Sequence, residues 1–204
     1  MTTPVDTAAT TVAAICARSR RSSSPALRTP DRTVSYHTLI TDSYRAGNAL
    51  RYLGVDTGDA VAVDTADPLR AIPIMLGAAQ LGAVCAIGGA ELEATVAVVQ
   101  APVADADTYE RIAVYGAPPS VPTAVHWEAT MWSENPAIHP VAVQQDWPVL
   151  ADGESTWTQA EVMQRVSAAA PGLPAGLGPY ESGGRVIDAI FAPLARGHCV
   201  ELTS

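Results

Sequence analysis

The chain has 204 residues, of which 48% are hydrophobic and 16% are charged; it can bury the core of one domain and is not a disordered polyampholyte. Its 21 acidic and 12 basic residues give a net charge of −9, which repels phosphates and excludes nucleic acid and anionic membrane as expected partners. All the basic residues are arginine, so no lysine exists for a Schiff base, a P-loop or a general base.

Two explanations of the lysine-free composition stay open. GC-rich coding favours arginine, and a salt-rich cytoplasm of a halophilic host favours an acidic, lysine-poor surface because salt screens self-repulsion. The three cysteines are widely spaced, and Cys85 and Cys199 lie in apolar runs where buried thiols are expected. The first 17 residues lack the order of a signal peptide, and no apolar run reaches the roughly 20 residues of a membrane span. A cytoplasmic location is therefore expected.

The first half of the chain predicts strands that alternate with helices. Helices are expected at 7–19, 37–53 and 68–81, and strands at 26–28, 33–36, 60–63 and 83–87. Asp67 has the position of a helix N-cap, with a proline at the next residue, and Gly54 and Gly82 are placed to end helices. Strand, helix and strand in this order predict a parallel sheet with right-handed crossovers.

The middle of the chain, residues 91–148, is less regular. Strands are expected at 95–99, 111–115 and 123–126, a short turn or helix at 105–107, and Pro-rich loops at 116–122 and 133–148. The last part predicts helices at 157–170 and 184–195, the second bent near Pro193, and a closing strand at 198–202.

An internal echo links the two ends of the chain. Residues 70–87 align without gaps with residues 185–202, each as a helix, a glycine and an apolar strand, and residues 31–39 align more loosely with 152–160. The interpretation is two related βα halves that pack together; that two βα units simply look alike stays open. We expect one three-layer α/β domain over 1–204, with a largely parallel sheet flanked by helices. Its parts are a first half at 1–90, the irregular middle at 91–148 and a second half at 149–204.

Four stretches of the first half carry a family resemblance. Residues 33–39, 46–50, 53–63 and 76–84 are similar to the opening of adenylate-forming enzymes, the superfamily of acyl-CoA synthetases, aryl-CoA ligases and peptide-synthetase adenylation domains. The match is specific over 25–90, holds only in outline over 91–150, and over 151–202 resembles the region after the family's phosphate loop. The chain looks like a truncated homologue of the N-terminal subdomain. The resemblance alone implies ATP, AMP or CoA as ligands; the residues themselves indicate no cofactor.

The departures from the family pattern decide the functional interpretation. Where the resemblance places the Ser-, Thr- and Gly-rich phosphate loop, residues 149–157 have one glycine, no lysine and two acids, Asp152 and Glu154. Backbone amides around glycines cradle phosphate, and acids at that position oppose it. The family's ribose-binding Asp and the C-terminal domain with its catalytic Lys would fall beyond Ser204. No catalytic residue is carried over, so no autonomous adenylation activity is expected.

Two residue pairs are candidates for ligand binding. Asp64 and Asp67 follow a strand at the edge where α/β folds place ligands, although a surface acid and a helix cap explain them equally well. Gly183 and Gly184 precede a helix whose N-terminus could bind an anion, although turn geometry also explains them. No spacing indicates a metal site.

Three hypotheses of function remain. The first is a degenerate ligase-like domain, a pseudoenzyme that binds a protein partner or a small acyl or adenylate ligand. The second is one chain of a split acyl- or aryl-CoA ligase that another subunit completes. The third is a self-associating structural protein, whose dimer would bury apolar surface in an isologous contact.

Overall fold

The protein is described by a computed structural model. The structure describes residues 10–65, 67–88, 93–100, 111–119, 124–137, 141–169, 175–176 and 182–203. The turn or helix predicted at 105–107 lies outside these residues, as does the beginning of the helix predicted at 7–19.

The helices and strands follow the expected order closely. The helices are α1 (Val12–Ser19), α2 (Tyr36–Tyr52), α3 (Pro68–Leu81), α4 (Trp127–Ser133), α5 (Gln159–Ala168), α6 (Gly183–Val186) and α7 (Ala192–Ala195), with a π-helical turn, Ile187–Phe191, between the last two. The strands are β1 (Pro25–Arg28), β2 (Thr33–Ser35), β3 (Ala60–Asp64), β4 (Val84–Ala86), β5 (Val96–Gln100), β6 (Arg111–Tyr115), β7 (Ala124–His126), β8 (Pro148–Ala151), β9 (Thr156–Thr158), β10 (Ala175–Gly176) and β11 (Val200–Thr203).

The strands form two sheets, where the sequence predicted one. The larger has seven strands in the order β7-β6-β5-β3-β4-β8-β9, and the smaller has four in the order β10-β11-β1-β2. All neighbours in the larger sheet are parallel except β8 and β9. The predicted α/β class, with a mostly parallel sheet flanked by helices, is confirmed, and the closing strand β11 lies in a separate sheet.

Each half of the chain completes the other half's sheet. The hairpin β1–β2 pairs in parallel with β11, with Leu27 opposite Val200. The hairpin β8–β9 pairs in parallel with β4, with Leu150 opposite Cys85. The two hairpins have the same internal register, including an irregularity after their first residue. The closing strand of each half therefore lies against the hairpin of the other half.

The helices that precede the two closing strands end at equivalent glycines. Gly82 and Gly197 have φ angles of 72° and 74°, a left-handed conformation that costs glycine nothing because it has no Cβ. These are the two glycines that the gapless echo aligned.

The looser echo aligned the hairpins two residues out of register. It matched Asp31 with Asp152, whereas strand pairing makes Thr33 equivalent to Thr156 and Ser35 equivalent to Thr158. Ser35 and Thr158 are both N-caps of the following helix. The helix predicted from residue 157 starts at Gln159 because the two residues before it still belong to β9.

The helix α4 was not predicted. Trp127 and Met131 are its buried residues. Their i, i+4 spacing is the helical signal, but the helix is only seven residues long and follows a short strand directly.

The helices α2 and α3 are in close backbone contact at Gly77. A Cβ on Gly77 would lie 2.7 Å from the Gly47 backbone nitrogen and 2.8 Å from the Ser43 carbonyl oxygen. Gln80 on α3 also donates a buried hydrogen bond of 2.8 Å to the Ser43 hydroxyl. The glycine thus allows the close approach of α2 and α3 that brings this buried polar pair together.

We expect Gly77→Ala to lower the free energy of unfolding by about 1–3 kcal/mol, because overpacking outweighs the gain of about 1 kcal/mol in helix propensity. Urea denaturation measures the change. Gly153→Ala is the control, since nothing lies within 4 Å of a Cβ at that position. A Gly77→Ala protein as stable as the original would contradict this packing.

The three cysteines differ in exposure. Cys16 and Cys85 are buried, and burial raises the pKa of each thiol to about 12. Cys199, expected in the core, is only half-buried because it precedes β11. Partial burial raises the pKa of the Cys199 thiol, and the negative charge of Glu201 raises it further.

We expect one thiol of the folded protein to react with Ellman's reagent, and three after denaturation. A thiol reacts as its thiolate, and only where the reagent can reach it. Cys16 and Cys85 are buried and have raised pKa values, so neither should react. Cys199→Ser should abolish the reaction of the folded protein. A second thiol reacting at a similar rate would show that α1 or the sheet opens readily.

Candidate functional site

A cavity of about 260 Å³ lies beside the carboxyl edge of the larger sheet. It is enclosed by the hairpin β1–β2, by α2, by the start of α3 after β3, and by α4 after β7. Its apolar walls come from Leu27, Val34, Leu39, Pro73, Trp127 and Met131. Strand order reverses beside β3, since β4 lies on one side and β5 on the other, and crevices at such points bind ligands in open α/β sheets.

Arg70 is the centre of an ion network along one wall of the cavity. Its guanidinium lies 3.4 Å from Asp67 and 3.2 Å from Glu128, and 4.7 Å from the ring centroid of Tyr115. Glu128 also accepts a 2.9 Å hydrogen bond from the Gly116 backbone. The network ties α3 and α4 to the end of β6, so this wall is held by several elements.

Asp42 forms the opposite charged wall. One of its oxygens lies 3.2 Å from Arg45, whose guanidinium lies 4.9 Å from the ring centroid of Trp132. The Asp42 side chain is 15% exposed. Burial raises its pKa above the ordinary value, and the charge of Arg45 offsets this only in part. Trp132 is 55% exposed and forms the rim of the cavity.

The two residues of the first predicted pair, Asp64 and Asp67, both lie at this edge but differ in their contacts. Asp67 lines the cavity and caps α3, accepting a 2.9 Å hydrogen bond from the Leu69 backbone. Asp64 ends β3 and is exposed, and it is outside the cavity lining. Asp42, Arg70 and Glu128 were not predicted as site residues, since their meeting depends on the packing of α2, α3 and α4.

A second polar site lies at the turn between β8 and β9. The Asp152 carboxylate accepts backbone hydrogen bonds from Glu154 at 2.9 Å, Ser155 at 2.8 Å and Gly183 at 2.7 Å. Partial burial disfavours its charge, but the three N–H donors outweigh it and hold the pKa of Asp152 below its ordinary value. A carboxylate of the chain itself therefore already accepts the hydrogen bonds of these backbone amides.

The second predicted pair is packed against this turn. A Cβ on Gly183 would lie 2.8 Å from the indole nitrogen of Trp157, and one on Gly184 would lie 3.2 Å from the Arg165 guanidinium. Arg165 in turn makes two hydrogen bonds to Asp188, at 2.8 and 2.6 Å. A side chain at Gly183 would therefore collide with the Trp157 ring, whereas one at Gly184 would need only a small shift of the Arg165 side chain. The structure does not bring them together with Asp64 and Asp67 in one cavity.

Within the described ranges, no three His, Cys, Asp or Glu side chains are grouped closely enough to hold a metal ion. No helix among the described residues has the length and apolarity to cross a bilayer.

No protein-family model and no curated protein sequence matches the chain. Solved structures do match. The anthranilate CoA ligase AuaEII in complex with anthranoyl-AMP has a TM-score of 0.79 at 18% identity, over 94% of this chain and 44% of its own. Coronafacic acid ligase from Pectobacterium brasiliense has a TM-score of 0.81 at 15% identity, over 95% and 45%. The N-terminal domain of FACL13 from Mycobacterium tuberculosis, bound to an inhibitor, has a TM-score of 0.76 at 16% identity, over 95% and 57%.

The chain thus has the fold of the N-terminal part of acyl- and aryl-CoA ligases, as the resemblance implied. It spans about half the length of the structures that it matches.

We expect the bonds of Asp152 to stabilise the protein in a pH-dependent way. A lowered pKa means that the stabilisation is complete above the ordinary value of 3.8 and is lost as pH falls through the lower, folded-state value. Asp152→Asn should cost about 1 kcal/mol at pH 6, at the low end for a bond to a charged group because the site is open to solvent. The cost should shrink at pH 3, as measured by urea denaturation.

Glu154→Gln is the control for this measurement, since it removes a neighbouring exposed carboxylate that makes no side-chain hydrogen bond in the described structure. An equal cost of Asp152→Asn at both pH values would contradict the role given to the charged carboxylate.

Proposed function

We propose that this chain is a ligase-like domain that binds a ligand or partner and does not form adenylates itself. The observation that carries the proposal is the Asp152 carboxylate on the backbone amides of Glu154, Ser155 and Gly183. The resemblance implies a phosphate loop near this turn. A carboxylate held there repels the phosphates that such a loop would bind.

The turn itself also supports the proposal. Only residues 152–155 connect β8 to β9, which leaves no long glycine-rich loop to wrap a phosphate chain. The sequence has no lysine to neutralise charge that develops on a phosphate. The net charge of −9 adds a long-range field that disfavours nucleotide binding.

The test is an exchange assay between ATP and labelled pyrophosphate, with Mg²⁺ and a panel of aryl and acyl acids. We expect no exchange above the rate without protein. A thermal-shift panel with ATP, AMP, CoA and a stable acyl-adenylate mimic, at low and high salt, runs beside it. A ligand at 100 times its dissociation constant would add about 2.7 kcal/mol of stability, so binding is easily detected.

Adenylate formation by the chain alone would contradict the proposal. Asp152→Ser serves as the matched variant, with Glu154→Ser as its control for the loss of one charge. If the carboxylate is what keeps an anion from these three amides, only Asp152→Ser should gain a thermal shift with pyrophosphate. Activity that appears only on adding a second protein would favour the split-ligase hypothesis instead.

A further inference from the structure

We propose that the cavity beside α2, α3 and α4 binds an uncharged molecule built on an aromatic ring. The inference rests on the proposed function, a binding domain, and names its site and ligand class. Two independent observations carry it. The counterpart of this space in the second half of the chain is filled by an indole, and the charged side chains around the cavity are paired with one another.

The two halves of the chain can be compared residue by residue around this cavity. Val34 on β2 is equivalent to Trp157 on β9, since each lies opposite the corresponding leucine in hairpins of the same register. Continued two residues upstream, the gapless echo makes Pro68 equivalent to Gly183, and each is the first residue of its helix. The wall that β2 and the start of α3 give to the cavity therefore has a counterpart in the second half.

In the second half, the Trp157 indole fills this counterpart. A Cβ on Gly183 would lie 2.8 Å from the indole nitrogen, and the Arg165 guanidinium lies 5.6 Å from the ring centroid. Arg165 has the position on α5 that Asp42 has on α2, counted from the N-cap of each helix. The indole thus lies among the elements that correspond to β2, α2 and α3. The first half has only the short side chain of Val34 at the position of that ring.

The space that Val34 leaves open suits a ring. Its volume of about 260 Å³ equals that of roughly nine water molecules at about 30 Å³ each, enough for one or two aromatic rings. Leu39, Trp127 and Met131 are buried and give the cavity apolar walls. The indole of Trp127 can also make an offset-stacked or edge-to-face contact with a bound ring.

The charged groups around the cavity balance one another. The acidic groups are Asp42, Asp67 and Glu128, and the basic groups are Arg32, Arg45, Arg70 and, when protonated, His126. Each carboxylate lies 3.2–3.4 Å from a basic side chain of this set. The remaining cation, Arg32, is exposed, where solvent and salt screen its charge.

This balance determines that the ligand is uncharged. An ion of either sign would lose its hydration and would have to compete with the existing pairs for a partner, which is costly in a partly buried site. An uncharged ring only has to displace water from the apolar walls, and burial of its surface favours binding.

The experiment is isothermal titration calorimetry of the full chain with three probes of one shape: neutral benzyl alcohol, benzylammonium and benzoate. We expect one benzyl alcohol to bind per chain, with a dissociation constant on the order of a millimolar, and at least tenfold more tightly than either ion. Either ion binding as tightly as benzyl alcohol would overturn the inference.

Two variants locate the binding. Val34→Trp gives the first half the ring that the second half has at the equivalent position, and it should abolish binding of benzyl alcohol. Val34→Ile is the matched control, since it stays aliphatic and β-branched and should still bind the probe. Met131→Trp fills the cavity from the opposite wall and should abolish binding too, which keeps the test valid if the other tryptophan variant does not fold. Circular dichroism checks that each variant is folded.

Unchanged binding of benzyl alcohol to a folded Val34→Trp or Met131→Trp protein would overturn the inference, because the ring would then bind elsewhere. If no probe binds and no ATP–pyrophosphate exchange occurs, the cavity assignment fails while the proposed function stands. Exchange activity together with benzyl alcohol binding would mean the reverse.

Discussion

Each closing strand pairs with the hairpin from the opposite end of the chain, and the positions of the other elements follow from this exchange. β11 needs the hairpin β1–β2, and β4 needs the hairpin β8–β9, so neither half completes its sheet alone. The two parallel registers place Leu27 against Val200 and Leu150 against Cys85. The exchange fixes α2, α3 and α5 around one core, and the cavity and the Asp152 turn lie on elements that it holds in place.

The two polar sites differ in the groups that converge there. At the β8–β9 turn, backbone N–H groups converge, and the chain supplies the anion itself through Asp152. At the carboxyl edge of β3, side-chain carboxylates converge, and the guanidinium of Arg70 serves two of them. At the first site the chain thus supplies its own anion, and at the second the carboxylates are paired with side chains of the chain itself.

Most helices and strands were predictable from the sequence, but few of the site residues were. The helix α3 begins after Asp67 and ends before Gly82 as expected, because capping depends on neighbouring residues alone. Trp157 was assigned to a helix and belongs to β9, because only the partner strand β8 decides where the hairpin ends. Gly183 was considered as an anion site; its amide is taken by Asp152, thirty-one residues earlier. A contact of that range leaves no local pattern.

The α/β class, the order of most helices and strands, and the repeated pattern of helix, glycine and strand were predictable from the sequence. Hydrophobic period, caps and glycines act over a few residues, so these features can be read locally. Tertiary structure decided that the strands divide into two sheets, that Asp42 and Glu128 face one cavity, and that Asp152 closes its own turn. These three features depend on which distant parts of the chain bury one another's surfaces. A local pattern of residues does not specify that choice.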